Sequence, residues 1–219
     1  MVYRPPMILT PLELADIPAR LAQFADGLAE EPYAARILAR IGATLSAVRG
    51  DDIELSQCPD HHGEAVALLA RFGMRARDIA PEEGVTWDGE AVSVRMEPSV
   101  IIHEVAHFQI APPERRHKVD FALGAGPESG DKKTAETHRA VHGVDCDREE
   151  ALVSLLGILW EAELGQPAIL AFLEQNWLEG GASPHNLGHF VKIVGQLRQG
   201  GYLDEDGRPT MKLNDQPGQ

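Results

Sequence analysis

The chain has 219 residues, of which 43% are hydrophobic and 25% are charged. This balance is typical of a globular protein that buries a sizeable core in one domain of ordinary size. With 34 acidic and 20 basic residues the formal net charge is −14, so we expect no binding of DNA or RNA. The charge favours a basic partner or substrate, or else is the ordinary acidity of many cytosolic proteins.

Features of secretion and membrane insertion are absent from the sequence. The first residues contain no apolar segment of signal-peptide form, and the longest apolar stretches are well short of the ~20 residues that a membrane span needs. The two cysteines, Cys58 and Cys146, are far apart and predict no disulfide framework. We therefore expect a cytoplasmic protein that does not bind membranes.

The N-terminal part of the chain predicts two helices. Apolar residues at helical spacing indicate a helix over residues 11–29, with Thr10 as its N-cap, and a second helix over residues 32–48. A short extended stretch is expected at residues 53–55, and a short helix over residues 63–72.

The strongest strand signal lies in residues 85–96. Asp88-Gly89 separates two runs rich in β-formers and is typical of a hairpin turn. A helix is then predicted over residues 98–111, because prolines stand at its first position and directly after its end.

The second half of the chain predicts one long loop and more helices. The loop covers residues 122–132, is rich in glycine, and is expected to be flexible. A polar tail over residues 204–219 is also expected to be flexible. Three helices are predicted between these segments, over 145–163, 166–178 and 184–199.

The helix predicted over residues 98–111 contains the motif His103-Glu104-Val105-Ala106-His107. Residues four apart lie on one helix face, so His103 and His107 can present two imidazoles to one metal ion. Glu104 lies at the edge of that face, where it could take a proton from a metal-bound water. The helix is otherwise apolar, and without such a role its histidines would be costly buried polar groups.

A site with two histidines needs a third ligand, usually a carboxylate, and an open position. The next long helix supplies Glu150, and the small residues Ser154 and Gly157 on the same face allow a close approach to the motif helix. Asp147 lies one turn earlier, whereas Glu149 points aside. We therefore rank Glu150 first, Asp147 second and Glu149 third; a solvated acidic first turn is the alternative interpretation.

Two other histidine pairs have the same spacing, namely His138 with His142 and His185 with His189. Cys146 continues the spacing of the first pair. We expect both pairs to be exposed polar surface, and either would form a second metal site only if it met the motif histidines in space.

The segment Ile102-His-Glu-Val-Ala-His-Phe-Gln-Ile-Ala, followed by Arg115-Arg116 and Val119-Asp120-Phe121, resembles the core motif of the elongation factor P hydroxylase family. The likeness covers about residues 100–121. After Phe121 the family continues with an aromatic-rich run and a Pro-Asp-Gly turn, whereas this chain has Ala-Leu-Gly-Ala-Gly-Pro-Glu-Ser-Gly. The departure predicts a different substrate.

The resemblance implies an iron-dependent enzyme that hydroxylates a modified lysine on a translation factor. By matching position it carries over the metal-site motif His103, Glu104 and His107, and a supporting segment with Arg115, Arg116 and Asp120.

The residues of this supporting segment also have interpretations of their own. Arg115 and Arg116 could clamp a carboxylate, or could pair with Asp120 and hold the turn after the motif helix. Asp120 could instead orient His103 or His107 by accepting its second ring proton.

An HExxH helix followed by an acidic helix also resembles the minimal core of zincin metallopeptidases. We therefore expect an α+β, predominantly helical fold, with a zincin-like core in which the motif helix lies beside a small sheet or hairpin. Residues 1–50 are assigned to an N-terminal helical segment packed on the core, 51–203 to the metal-binding catalytic core, and 204–219 to the flexible tail.

Three functions are compatible with this site. The favoured one is a zinc-dependent hydrolase that acts on a peptide or protein amide, with Glu104 as general base. The second is an iron-dependent protein hydroxylase that uses two histidines and a carboxylate. The third is a non-catalytic interaction protein in which one divalent metal ion stabilises the fold. The expected partner is a protein or peptide, and a basic one suits the negative charge.

Overall fold

The computed structural model describes residues 13–50, 53–127 and 129–216. These residues form a predominantly helical fold with one two-stranded parallel sheet. The elements in chain order are α1 (Ile17–Gly27), α2 (Pro32–Ala43), α3 (Pro59–Arg71), β1 (Arg75–Arg77), β2 (Ala91–Ser93), α4 (Pro98–Ile110), α5 (Lys132–Thr137), α6 (Gly143–Glu163), α7 (Ala168–Glu174) and α8 (Pro184–Gln199).

The N-terminal helices are shorter than predicted. α1 begins at Ile17 after a 3-10 turn, and the predicted cap Thr10 lies outside the described residues. α2 ends at Ala43 and continues as a 3-10 turn, whereas residues 53–55 form no strand. α3 begins before its predicted start, because Pro59 can occupy the first turn, where no backbone donor is needed.

The sheet differs from the predicted hairpin. Asp88 does reverse the chain, since its side chain accepts bonds from the backbone N–H groups of Glu90 and Ala91. However, β2 pairs in parallel with β1, and the hairpin is reduced to a single antiparallel bridge between Trp87 and Val92. The backbone N–H of Trp87 donates to the Asp120 carboxylate instead of extending a ladder.

The centre of the fold is the pair of α4 and α6. α4 is buried on most of its surface by α3, α6 and the C-terminal segment, which explains why its sequence is apolar on nearly every side. α6 is buried at Val153 and from Leu155 to Glu161, and it also contacts α2, α7 and α8. The core is therefore arranged around the helix that carries the motif.

α6, α7 and α8 lie near their predicted positions, whereas α5 was not predicted. α6 begins at Gly143 and ends at Glu163, and α7 is limited to Ala168–Glu174 because Asn176 adopts a left-handed conformation shortly after its end. α8 spans 184–199 as predicted, with the Ser183 side chain accepting the N–H of Asn186.

The C-terminal segment is bound to α4 in the structure. The sequence predicts a flexible tail from residue 204, but Asn214 donates its backbone N–H to the carbonyl of Gln109 and its amide to that of Ile110. The Gln109 side chain donates to the carbonyls of Thr210 and Lys212. The polar composition of residues 204–216 thus serves hydrogen bonds to α4.

None of the helices in the described part of the chain is long and apolar enough to cross a membrane.

Candidate metal centre

Three predicted ligands meet where α4 and α6 are in contact. The Nε2 atoms of His103 and His107 each lie 3.7 Å from the Oε2 atom of Glu150. Among the described residues, these three form the only group of histidine, cysteine or carboxylate side chains with ligand atoms converging in this way, all within 4.8 Å of one another. The residue ranked first as third ligand is therefore the one that the structure brings to the histidines.

The approach of α6 to α4 places Glu150 beside the histidines. Gly157 lies two turns after Glu150, and a Cβ built on it would be 3.4 Å from the Cα of His103 and 3.9 Å from the Cβ of Ala106. A side chain larger than that of alanine would separate the helices at this point. The small-residue face predicted for α6 is confirmed by this contact.

The geometry of the three side chains fits one divalent ion. A tetrahedral zinc ion with bonds of about 2.0–2.2 Å separates its ligands by about 3.4 Å. The 3.7 Å from each imidazole to Glu150 needs a small contraction, and all three ligand atoms lie within 4.8 Å of one another. Glu150 keeps 45% of its side chain exposed, while His107 is buried, so the group opens toward solvent on the Glu150 side.

The protonation states also fit a metal. Burial lowers the pKa of His107 to about 3, so its imidazole is neutral at pH 7. Burial opposes ionisation of Glu150, but His107 and His103 outweigh it and lower the pKa of the carboxyl group. A neutral imidazole and a carboxylate are the forms that bind a cation.

Glu104 borders the same cavity. The residue is only 7% exposed, although glutamate is rarely buried, and it follows His103 directly on α4. The cavity has a volume of about 760 Å³, within the range of small-molecule and side-chain sites. Further lining comes from Ser99, Phe121, the glycine-containing loop 123–127, Arg139, Cys146, Trp177 and His189.

The two lower-ranked ligands lie outside the group. Asp147 is exposed on α6 and does not join the converging atoms. Glu149 forms an ion pair with Arg115, at 2.5 Å between Oε2 and an Arg115 guanidinium nitrogen, and both side chains are largely buried. Glu149 therefore fixes the segment after α4 to α6.

The two arginines do not pair with Asp120. Besides Glu149, Arg115 donates to the carbonyl of Phe121. Arg116 donates to the carbonyls of Phe108 and Asn214, and thus holds the end of α4 to the C-terminal segment. Arg115 therefore binds a carboxylate, which is one of the two roles predicted for it, but this carboxylate is the side chain of Glu149 in the same chain.

Asp120 does not orient the motif histidines. Its carboxylate accepts the backbone N–H of Trp87 at 3.0 Å and the hydroxyl of Ser129 at 3.3 Å. Within the described part of the chain, the buried Nδ1 atom of His107 has no hydrogen-bond partner. Burial raises the pKa of Asp120 to about 6, because it outweighs the hydrogen bonds, which favour the charged form and lower the pKa.

The other histidine pairs form no second cluster in the described residues. The Nδ1 atom of His138 lies 2.8 Å from the carbonyl of Thr134, and His142 is exposed at the start of α6. His189 does reach the cavity wall, where it stacks on Trp177.

Sequence reasoning missed two parts of the site. Trp177 lines the cavity and donates its indole N–H to Ser154, one turn beyond Glu150. Phe121, quoted only as part of a motif, stacks on His107 with ring centroids 5.3 Å apart. Neither contact has a local sequence signal, because each joins residues from separate elements.

No family model, no curated protein and no solved structure matches this chain. The two family resemblances are therefore carried by the motif residues alone.

Proposed function

We propose that this protein is a zinc-dependent hydrolase that cleaves an amide bond in a protein or peptide. The observation that supports the proposal is the convergence of His103, His107 and Glu150 in a cavity that Glu104 also lines. Two histidines and one carboxylate leave a coordination position open, as catalytic zinc sites require.

Each residue of the site would have a separate role. His103, His107 and Glu150 would hold the ion, and zinc bound there would lower the pKa of a bound water toward ~7. Glu104 would act as general base, since its carboxylate is next to the ligand face and borders the same cavity.

The placement of the ligands supports a zincin-like core. In this arrangement one helix supplies the two histidines and the general base, and a following helix supplies the third ligand. α4 and α6 have these roles here, and β2 precedes α4 in the chain.

A protein or peptide suits the cavity as substrate. Its volume of about 760 Å³ and its opening on the Glu150 side would admit a side chain with its flanking backbone. The net charge of −14 favours a basic partner through long-range attraction.

An iron-dependent protein hydroxylase is the second candidate. Two histidines and one carboxylate are also the ligands of non-haem iron oxygenases, and residues 100–121 resemble the elongation factor P hydroxylase family. In that enzyme Glu104 would support the site and would not act as base.

Metal analysis of the chain purified without added metal separates the candidates. We expect about one equivalent of zinc, since the site is a single three-ligand group. The reaction is then followed on a mixed library of unstructured synthetic peptides by mass spectrometry. New peptide termini indicate hydrolysis, and the gain of one oxygen atom indicates hydroxylation.

Glu104→Gln tests the role of the base. We expect this variant to bind zinc like the wild type and to cleave at a rate reduced by about 10²–10⁴-fold. Glu54→Gln, at an exposed position, is the matched control and should cleave like the wild type. Bound iron, or full cleavage by Glu104→Gln, would refute the hydrolase. If the chain binds a metal ion but neither cleaves nor hydroxylates the peptides, the result supports an ion that only stabilises the fold.

A further inference from the structure

His107 lacks the hydrogen bond that usually orients a metal-binding imidazole. Such a histidine commonly donates its second ring N–H to a carboxylate, a carbonyl or water, and the bond fixes the ring. Here the Nδ1 atom of His107 is buried and has no hydrogen-bond partner among the residues that the structure describes. Asp120, the nearby candidate acceptor, is bound to Trp87 and Ser129.

An aromatic stack contacts His107 instead. The ring of Phe121 lies 5.3 Å from the imidazole of His107, centroid to centroid, with 18° between the planes. Phe121 is itself stacked on Trp87 at 5.5 Å and 3°. Both aromatic side chains are buried, so the three rings form a packed column behind the ligand.

The backbone that presents Phe121 is locked in an uncommon conformation. Asp120, Phe121 and Ala122 have φ angles of 40°, 52° and 63°, in a region that residues other than glycine rarely adopt. Asp120 exchanges backbone and side-chain hydrogen bonds with Trp87, and Arg115 binds the carbonyl of Phe121. Such a conformation persists only where its surroundings fix it, and it clusters at functional sites.

The same segment is linked to the third ligand. Arg115, which binds the carbonyl of Phe121, also pairs with Glu149, the neighbour of Glu150 on α6. Arg115 therefore links the carbonyl of Phe121 to α6 through the residue next to Glu150.

We propose that Phe121 is a positioning residue that sets the ring orientation of His107 by stacking and so directs its Nε2 atom toward Glu150. This inference deepens the proposed function and rests on its metal site. The stack replaces the missing hydrogen bond at Nδ1, because a packed ring face restricts rotation of the imidazole about its χ2 angle.

Zinc affinity tests the proposal without any substrate. Phe121→Met keeps an apolar side chain of similar size but removes the ring, and Zn²⁺ binding is measured by competition with a chelator. We expect affinity to fall by about 10-fold, as for loss of an outer-shell partner. Phe108→Met is the matched control, since Phe108 contacts Trp87 edge-on at 6.0 Å and is absent from the stack on His107. The control should bind Zn²⁺ like the wild type.

The ring protons of His107 provide a test in the metal-free chain. Stacked protons are shielded by the Phe121 ring, so NMR should show them upfield of those of the exposed His185 in the wild type. In Phe121→Met this shift should be lost. If the ring protons of His107 in the wild type lack this upfield shift, the proposal is overturned, even if Phe121→Met does not fold.

The outcomes separate this inference from the proposed function. Equal affinity of Phe121→Met and wild type, or equal losses in Phe121→Met and Phe108→Met, would overturn positioning while hydrolysis stands. A loss of affinity confined to Phe121→Met, in a chain that cleaves no peptide, supports positioning and contradicts the hydrolase.

Discussion

Gly157 of α6 lies against the backbone of His103 on α4. A Cβ atom built on Gly157 would be 3.4 Å from the Cα and 3.7 Å from the N atom of His103, which is ordinary van der Waals distance. The absence of a larger side chain allows α6 to approach the ligand helix, and Glu150, two turns away, reaches both imidazoles. The contact between Gly157 and His103 therefore sets both the distance between α4 and α6 and the position of Glu150 relative to the two imidazoles.

The effect of enlarging Gly157 on stability and on metal binding should depend on the size of the new side chain. We expect Gly157→Ala to be neutral or stabilising by up to ~1 kcal/mol, because alanine fits the space and is the better helix former. Gly157→Leu should cost about 1–3 kcal/mol through overpacking, and should weaken Zn²⁺ binding because Glu150 moves away from the histidines. Urea unfolding and chelator competition measure the two effects.

Gly195 on α8 is the matched position for this experiment. It is exposed, and a Cβ built there meets nothing within 4 Å, so Gly195→Leu should leave the Zn²⁺ affinity unchanged. Wild-type affinity in Gly157→Leu would show that the distance between α4 and α6 does not control the site.

The adjacent acids Glu149 and Glu150 should have opposite phenotypes. Glu150→Gln should weaken Zn²⁺ binding by at least about 100-fold, more than the loss of an outer-shell partner, and should change stability little because its side chain is half exposed. Glu149→Gln should keep affinity within about 10-fold but lose about 2–4 kcal/mol, since it leaves the largely buried Arg115 without its counter-charge.

Isothermal zinc titration and thermal unfolding of both variants check this contrast. If Glu149→Gln lost zinc while Glu150→Gln retained it, the assignment of the third ligand would be wrong. Arg115→Gln should reproduce the stability loss of Glu149→Gln, because it breaks the same pair.

The parts of the site that the sequence predicted are those encoded by local helical spacing. His103 and His107 are four apart on one helix, and Glu150 and Gly157 share one face of another. Prolines and a serine cap mark the starts of α4 and α8, and both helices begin where these residues predict. Helix faces repeat every few residues, so a single sequence specifies them.

The parts that could not be predicted depend on contacts between distant segments. The parallel pairing of β1 with β2 joins two segments separated by residues 78–90, and the partners of Asp120 come from residues 33 positions before and 9 after it. The hydrogen bonds between Gln109 and the C-terminal segment span about a hundred residues. A polar tail that is bound to the core and a polar tail that is flexible have similar compositions, and only tertiary contacts distinguish them.

Stability should fall as pH rises because of Glu161, a buried acid on α6. Burial, followed by the charge of Glu174, raises the pKa of its carboxyl group from 4.5 to about 8. Between these values the native chain holds a proton that the unfolded chain releases. Its contribution to stability is therefore fully present below pH 4.5 and is lost as pH approaches 8, with a slope of up to ~1.4 kcal/mol per pH unit.

Glu161→Gln isolates this contribution, since the amide does not ionise. The difference in unfolding free energy between wild type and variant should decrease steadily from pH 5 to pH 8, measured by urea unfolding. Subtraction cancels the titration of Asp120 and His107, which is common to both proteins. Glu179→Gln, at an exposed site, is the charge control. A difference independent of pH would contradict a raised pKa at Glu161.

Gln109 should be the main link between α4 and the C-terminal segment. Its buried amide donates to Thr210 and Lys212 and accepts the indole N–H of Trp160 at 2.6 Å, so every polar atom of the side chain is bonded. Gln109→Leu leaves the indole N–H buried without an acceptor and releases two carbonyls. We expect it to cost about 2–4 kcal/mol, because an unsatisfied buried donor is penalised more than a lost bond.

Hydrogen exchange gives the local readout for this link. The backbone N–H of Asn214, which donates to the carbonyl of Gln109 at 2.9 Å, should be protected in the wild type and exchange faster in Gln109→Leu. Gln199→Leu, at the exposed end of α8, should change stability by no more than ~0.5 kcal/mol. Rapid exchange of this N–H in the wild type would mean that residues 204–216 are a flexible tail after all. Protection lost only in Gln109→Leu would show that the segment is held through α4, the helix that carries both histidine ligands.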